Sequence, residues 1–576
     1  MNALLAKLRE SGHLRRVDVT LGEWLARAFP AAPPEAALAA ALAARAVADG
    51  HSALELARAQ AWLEGLDATG RTPALPELVH WRDALRASAA VLTDGTGDGL
   101  RPLVLDAQGR VYLHRYFEYE LQLARALVIR AQSTAIPASD PSPPSRSADT
   151  DPAQQRAIDT ALARRFTLVT GGPGTGKTYV AVRILAALAQ QAHARGAPLR
   201  IALAAPTGKA AARLKEAVHA GSATLALPDD IAALIPGEAH TVHRLLGLSP
   251  WSATPRHQHE TPLPFDVVVV DEISMLDLPL MAKLIDAVAP AARLVLLGDP
   301  AQLAAIEAGN VLGALVDAAR AAPLADCHVA LTTSHRFGAG SSLAGFARAI
   351  AAGDSESALA IGAAGGDVEL AAPAPSNALL DAAAEAYAGV LDAGDPAAAL
   401  RAARAFRVLT ALRHGPAGCL ALDHAIAQRL QRRADVRADE RWWQGRLLMV
   451  TANRPELGLF NGDSGVVWPD ANGAMQVWFE AGDGPRAFAP AALPPHEGAF
   501  ALTVHKAQGS EFDRIALVTG PDSAVLTREL LYTGVTRARA SMVVHSTGET
   551  LRAGIERCTL RMTGLADRVR EAAAGT

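Results

Sequence analysis

The sequence predicts an α/β protein: two domains built on parallel sheets, the second carrying a small β-barrel insertion, behind a mostly helical N-terminal domain. Three observations lead there. From residue 153 onward, short runs of Val, Leu, Ile and Ala of strand length alternate with helical stretches, as a sheet covered on both faces does. One run, Phe166-Thr167-Leu168-Val169-Thr170, leads into Gly171-Gly172-Pro173-Gly174-Thr175-Gly176-Lys177-Thr178, which fits G-x-x-x-x-G-K-[ST] and opens a helix over residues 179–189. Between Gly445 and Leu493 the pattern shifts to short alternating runs around Asn461-Gly462-Asp463 and Ala471-Asn472-Gly473, which reads as a small barrel.

The elements follow in order. Residues 1–131 are an Ala/Leu-rich helical domain with one hairpin pattern, Pro102–Leu105 to Val111–Leu113 across Asp106-Ala107-Gln108-Gly109. Residues 132–152, with Pro137, Pro141, Pro143, Pro144 and Pro152 among Ser and Asp, read as an extended linker. The first α/β domain covers 153–330, with further buried strands at Ile201–Ala205, Val267–Val270 and Leu294–Leu297. The second covers 331–576 and holds the strand Phe406–Thr410 and the insertion at about 445–493.

A chain of 576 residues has room for about three or four domains at ~150 residues each. Its net charge of −4 gives no global basic signature, so any nucleic-acid contact must come from a local patch or groove. Cys327, Cys419 and Cys558 lie far apart with no C-x-x-C pair, which suggests reduced, buried residues in a cytoplasmic protein. The sequence shows neither a signal peptide nor a membrane span.

Only six of the 55 basic residues are lysines, and one is Lys177. A chain that uses Arg almost everywhere keeps Lys where a compact, flexible ammonium is needed. In a strand-loop-helix context the backbone N–H groups of Gly171, Gly172, Pro173's neighbours, Gly174, Thr175 and Gly176 can cradle phosphates at a helix N-terminus. Lys177 would reach the β- and γ-phosphates of ATP, and the Thr178 hydroxyl would ligate Mg²⁺. Val267–Val270 then delivers Asp271 and Glu272 to the C-terminal end of a central strand, where open α/β sheets bind ligands. Asp271 would hold Mg²⁺ and Glu272 would orient the attacking water.

Asp271-Glu272-Ile273-Ser274-Met275-Leu276-Asp277 resembles motif II of superfamily 1 helicases, particularly the RecD group, and Gly298-Asp299-Pro300-Ala301-Gln302-Leu303 is similar to its motif III. The resemblance implies two RecA-like P-loop NTPase domains, an SH3-like barrel, and Gln302 as a γ-phosphate sensor. Leu331–Phe337 and Tyr532–Arg539 resemble motifs IV and VI, which implies that Arg336 and Arg537 reach the γ-phosphate, with Arg539 a structural neighbour. An arginine's fork suits phosphoryl oxygens. Gln154, rather than its rival Gln155, resembles the residue that reads adenine, and Glu511 of motif V joins the nucleotide set.

Ala205–Ala211, His240–Gly247 and Thr503–Glu511 resemble motifs Ia, Ib and V, implying DNA contacts by Pro206, Thr207, Lys209, His243, Thr503, His505 and Lys506. Hydroxyls, amides and lysines near helix starts suit sequence-independent phosphate contacts. The excursion at 249–264, with Trp251, His257 and His259, is a candidate strand-separating pin or an ordinary loop, and Trp442-Trp443 reads as packing beside the barrel. The family implies an ATP-driven 5′-to-3′ motor on single-stranded DNA at double-strand ends. It would work beside RecB and RecC in break repair and recombination, without a nuclease site of its own. A stand-alone helicase of the same group and a non-catalytic, nucleotide-regulated assembly subunit are the alternatives.

Overall fold

The computed structural model describes residues 2–66, 72–93, 100–133, 151–249, 251–252, 254–335, 340–481, 484–521 and 523–575. The N-terminal unit packs helices around Pro34–Ala48, whose alanines are buried on most faces. Gly22 on the helix Arg16–Ala28 permits the close approach, since a Cβ there would lie 2.7 Å from Ala37 O. Beside them β1 (Leu54–Glu55), β2 (Val91–Thr93), β3 (Leu103–Leu105) and β4 (Arg110–Leu113) form a sheet in the order β1-β4-β3-β2. β3 and β4 are the expected antiparallel hairpin, while β1 and β2 extend it into a sheet that periodicity did not reveal.

The helix His114–Gln132, grouped by sequence with the N-terminal unit, inserts Leu123, Leu127 and Val128 into a core shared with Phe166, Val268 and Leu284. The expected linker falls almost wholly outside the described residues. The first α/β unit holds β5 (Phe166–Gly171), β6 (Ile201–Ala205), β7 (His240–Thr241), β8 (Val267–Val270), β9 (Arg293–Gly298) and β10 (His328–Leu331). All pair in parallel, in the order β10-β5-β9-β8-β6-β7. Strand side chains alternate between faces. Val267 and Val269 therefore pack toward the helices Lys177–Ala194 and Gly208–Thr224, and Val268 and Val270 toward Leu278–Ala287.

The second α/β unit starts with β11 (Val368–Ala371) and β12 (Phe406–Thr410). Then comes the insertion: β13 (Leu447–Val450), β14 (Ser464–Pro469), β15 (Met475–Phe479), β16 (Arg486–Phe488) and β17 (His496–Gly498). Its antiparallel order is β16-β15-β14-β13-β17, a five-stranded ladder where the small barrel is expected, and among the described residues no pairing joins its edges β16 and β17. Both predicted turns carry a left-handed glycine, Gly462 and Gly473, where φ is 94° and 81°. β18 (Ala501–Thr503), β19 (Phe512–Val518) and β20 (Ala538–His545) complete a parallel sheet ordered β11-β20-β19-β12-β18. Trp443 is buried and stacks on Phe500, with ring centroids 6.0 Å apart.

After the helix Gly548–Glu556 the chain leaves the second unit, and the helix Leu565–Ala574 packs on helix His114–Gln132 and helix Val311–Ala318. This return is fixed by buried polar contacts. Glu120, fully buried, accepts from Ser52 Oγ at 2.6 Å, Thr563 Oγ1 at 2.7 Å and Gly564 N at 3.2 Å. Asp106 accepts from Arg110 Nε at 2.7 Å and Arg568 Nη2 at 2.8 Å. All three bonds to Glu120 fall on Oε1 while Oε2 is buried without a partner, and burial raises this carboxyl against the pull of its donors. Cys327 and Cys419 are buried and free as expected; Cys558, in the returning segment, is exposed, which corrects the expectation for that residue.

Candidate nucleotide site and nucleic-acid path

β5 ends at Gly171, and the loop that follows turns through two left-handed glycines, Gly174 at φ 73° and Gly176 at φ 84°. Only glycine adopts this geometry without strain. Gly176 caps the helix Lys177–Ala194, so the helix N-terminus faces the loop. Gln154 Nε2 donates to Thr175 O at 3.2 Å, and a Cβ on Gly176 would lie 2.6 Å from that nitrogen. The glutamine expected to read a base thus braces the cradle. Thr175 Oγ1 donates to Gly172 O at 2.9 Å, and Lys177 Nζ folds onto Gly171 O at 2.6 Å and Gly172 O at 3.0 Å.

Asp271 follows β8 and is buried; burial, then the neighbouring Glu272, pushes its carboxyl up to about 6, with Lys177 opposing. Glu272 has a left-handed backbone, φ 55°, uncommon outside glycine and typical of functional turns. Gln302 is buried one strand over, at the end of β9, and its Nε2 donates to Asp299 Oδ2 at 3.1 Å. Asp299 also accepts from Tyr532 Oη at 3.1 Å, across the boundary between the two α/β units. Burial raises the Asp299 carboxyl, and Lys177 opposes that rise. Sequence reasoning passed over Asp299 and Tyr532 as site residues, because each acquires its role only from a partner more than 230 positions away.

Arg537 sits at 3% exposure behind Tyr532. Its guanidinium donates to Thr533 O at 3.1 Å, Ser510 O at 3.2 Å and Thr536 Oγ1 at 3.2 Å, all uncharged acceptors. Burial lowers its pKa, while Glu272 and Glu511 hold it up. Arg336 lies outside the described residues; the segment before it touches the loop, His335 N donating to Gly174 O at 2.8 Å and Ser334 Oγ to Pro173 O at 3.4 Å.

Gly172, Gly174, Gly176, Lys177, Thr178, Asp271 and Glu272 line a cavity of about 320 Å³ whose far wall is Gly509 and Glu511 of the second unit. Arg213, on the helix Gly208–Thr224, closes it by donating to Gly509 O at 2.8 Å and pairing with Glu511 at 3.1 Å. Glu511 is also held by Arg539 at 3.1 Å, which gives Arg539 the salt-bridged role expected of it. The buried Asp271 and the half-buried Glu272 beside a lysine form a donor set that suits a nucleotide's phosphates with a hard cation.

The residues expected on DNA are scattered by comparison. Pro206 and Thr207 follow β6, and Thr207 caps the next helix by accepting from Ala210 N at 3.2 Å. His243 follows β7, which pairs with β6, so motifs Ia and Ib share one sheet edge. Thr503 ends β18, and Lys506 is ion-paired to Glu497 of the inserted sheet. Burial, then the charge of Arg561, lowers the pKa of His505. Lys209 instead lines a second cleft of about 430 Å³ with Arg407, Asp463 and Glu480, where burial pushes its ammonium down to about 8. Phe460, between β13 and β14 of the insertion, packs against the neighbouring Gly208, its ring 2.9 Å from where a Cβ there would stand. Trp251 is 94% exposed on a loop whose ends are tied by the bridges Ser249–Ser252 and Gln258–Thr261.

Three family models match: an AAA domain over 154–308, the RecBCD enzyme subunit RecD N-terminal domain over 10–112, and a UvrD-like helicase C-terminal domain over 498–544. The chain is 40% identical to the RecBCD enzyme subunit RecD of Mycolicibacterium smegmatis, over 93% of this chain and 94% of that one. It is 38% identical to RecD of Mycobacterium tuberculosis, over 100% and 98%. The ATP-dependent RecD2 DNA helicase of Deinococcus radiodurans is 32% identical, over 75% of this chain and 54% of that protein. Among solved structures, the Pif1 helicase of Candida albicans aligns at a TM-score of 0.39 and 16% identity, over 72% of this chain and 98% of that one.

Proposed function

The chain belongs to the RecD family of RecBCD enzyme subunits, and from that membership we propose that the cavity between its two α/β units is where ATP is hydrolysed to drive it along DNA. It is an ATP-dependent DNA helicase subunit. The observation that carries the site assignment is the convergence of Lys177, Thr178, Asp271, Glu272 and Glu511 on one cavity of about 320 Å³ that takes its walls from both units. A cavity shared in this way couples the charge on a ligand to the separation of the units.

Within it the roles divide by chemistry. Lys177 exchanges its loop carbonyls for β- and γ-phosphate oxygens, and the loop amides hold the same phosphates at the helix N-terminus. Thr178 and Asp271 would hold Mg²⁺, which when bound neutralises phosphate charge. Glu272 orients the attacking water and takes its proton. Gln302, bonded to Asp299 and through it to Tyr532, reports the γ-phosphate to the second unit. Arg537 supplies charge to the leaving phosphates, for which its neutral acceptors leave it available. Arg336 is assigned the companion role.

The DNA path proposed for Pro206, Thr207, His243, Thr503, His505 and Lys506 follows the sheet edges that carry motifs Ia, Ib and V, with Trp251 as the tip of a pin. Lys209 belongs to this set through helix Gly208–Thr224, at whose first turn it stands. The polarity is 5′-to-3′, the partners are RecB and RecC, and the compartment is the cytoplasm at the nucleoid. No described helix is long and apolar enough to cross a membrane. Both alternatives fall behind this reading, because the relatives that share nearly their whole length with the chain are RecBCD subunits. The test is unwinding of a duplex with a 5′ single-stranded tail by the chain purified with RecB and RecC carrying an inactivated RecB motor. Unwinding that disappears in Lys177→Gln supports the assignment, and unwinding that survives it overturns it.

A further inference from the structure

The loop after Gln302 is held from both ends. At its front, Leu303 N donates to Thr533 Oγ1 at 2.8 Å and Gln508 Nε2 donates to Leu303 O at 3.4 Å, both partners in the second α/β unit. At its back the partners change. Arg561, in the segment that returns from the second unit, donates from Nη2 to Ala305 O at 3.0 Å and from Nη1 to Asp49 O at 2.9 Å. Four residues beyond Ala305, Gly309 N donates to Gly50 O at 3.0 Å. One guanidinium therefore ties the loop to the N-terminal unit, and the next residue repeats the tie, Met562 N donating to His51 Nδ1 at 3.0 Å.

The joint is shaped for that side chain. Gly50 has φ +86°, and a Cβ there would lie 1.2 Å from Arg561 Nη1, so only glycine leaves room for the fork. Lysine would not span both carbonyls, because its ammonium is a single point while the guanidinium presents separated donors. His505 of the proposed DNA path has its pKa lowered by burial and then by the Arg561 charge. A lever transmits motion only if one end is fixed, and here the fixed end is the N-terminal unit.

We propose that Arg561 is a positioning residue for ATP-driven movement: by clamping Ala305 O to Asp49 O it anchors the loop behind Gln302 on the N-terminal unit, so that displacement at the γ-phosphate sensor reaches the DNA path instead of being absorbed. This rests on the helicase reading of the cleft. It gives the N-terminal unit a part in coupling, carried by contacts none of the nucleotide-cavity residues makes.

Two arms test it on the full chain, with a single-stranded oligonucleotide as the DNA probe. In Arg561→Ala, DNA-stimulated ATP turnover should fall by about tenfold or more while turnover without DNA and the KM for ATP stay within about twofold, the range of a typical coupling energy. Arg561→Lys should recover part of the loss. Independently, amide exchange over Leu303–Gly309 should accelerate by about tenfold in Arg561→Ala while the sheet cores stay protected. Gly50→Ala, which displaces the fork but keeps the arginine, should reproduce both effects if Arg561→Ala fails to fold. Equal losses with and without DNA, or unchanged loop exchange, would overturn the proposal. The exchange arm needs neither ATP nor DNA, so it decides the anchoring even where absence of DNA stimulation in the unmodified chain has already refuted the helicase reading.

Discussion

Replacing Arg537 by alanine should stop hydrolysis without unfolding the chain. The guanidinium is buried, yet all three of its hydrogen bonds go to uncharged acceptors. Removing it costs about 1.5–3 kcal/mol for each charged hydrogen bond lost. Against that, the desolvation penalty of the buried guanidinium, several kcal/mol and only partly offset by the charges of Glu272 and Glu511, disappears with it. The two terms largely offset each other, so stability should fall by only a few kcal/mol. Catalysis has no such offset: an arginine that compensates transition-state charge contributes about 10³–10⁵ in rate, or roughly 4–7 kcal/mol at 1.36 kcal/mol per decade. Phosphate release with saturating single-stranded DNA should therefore fall at least about 10³-fold in Arg537→Ala and nearly as far in Arg537→Lys. Binding of a fluorescent ATP analogue and the thermal melt should change little. A folded Arg537→Ala that hydrolyses ATP within tenfold of the unmodified chain would refute the assignment.

Arg213→Ala removes the only described side chain that bridges the helix Gly208–Thr224 to both Gly509 O and Glu511, so the KM for ATP should rise about tenfold, equivalent to ~1.4 kcal/mol, with little change in the melt. Asp271→Asn should raise the Mg²⁺ concentration needed for half-maximal turnover by about tenfold or more while nucleotide still binds; an unchanged Mg²⁺ requirement would take Asp271 out of the site. Asp423 is buried against Gly498 and accepts from Phe500 N at 2.8 Å, and burial raises its carboxyl to about 6. Because the folded state binds that proton more tightly than the unfolded state, the ionised form weakens the fold above about pH 6, and the penalty fades as pH falls toward 4. Asp423→Asn should thus stabilise the chain by about 1–3 kcal/mol at pH 7.5 and by almost nothing at pH 4, read by denaturant melts at both values.

What the sequence disclosed and what it hid divide by contact range. Strand β5 and the helix from Lys177 are fixed by local pattern and by glycines that must be left-handed, and both lie where periodicity placed them, the helix running on to Ala194. Val267–Val270 is legible because a strand buried on both faces must be apolar at every position. The roles of Asp299, Tyr532 and Arg213 were not legible: the first two lie within recognisable motif segments, but what each side chain does comes from bonds across the boundary between the units. The return of helix Leu565–Ala574 onto helix His114–Gln132 was hidden for the same reason, and so was the reach of the latter helix into the first α/β core. Lys209 shows a different limit: its motif says nothing of burial, and the fold places it in a cleft lined also by residues of the inserted sheet.

The central claim is that the cavity between the two α/β units turns ATP hydrolysis into movement on DNA, and steady-state ATP turnover with and without single-stranded DNA tests it most directly. The account predicts that DNA raises turnover by about tenfold or more and that Lys177→Gln abolishes the stimulated rate. Hydrolysis that stays at background while the oligonucleotide is demonstrably bound would contradict it.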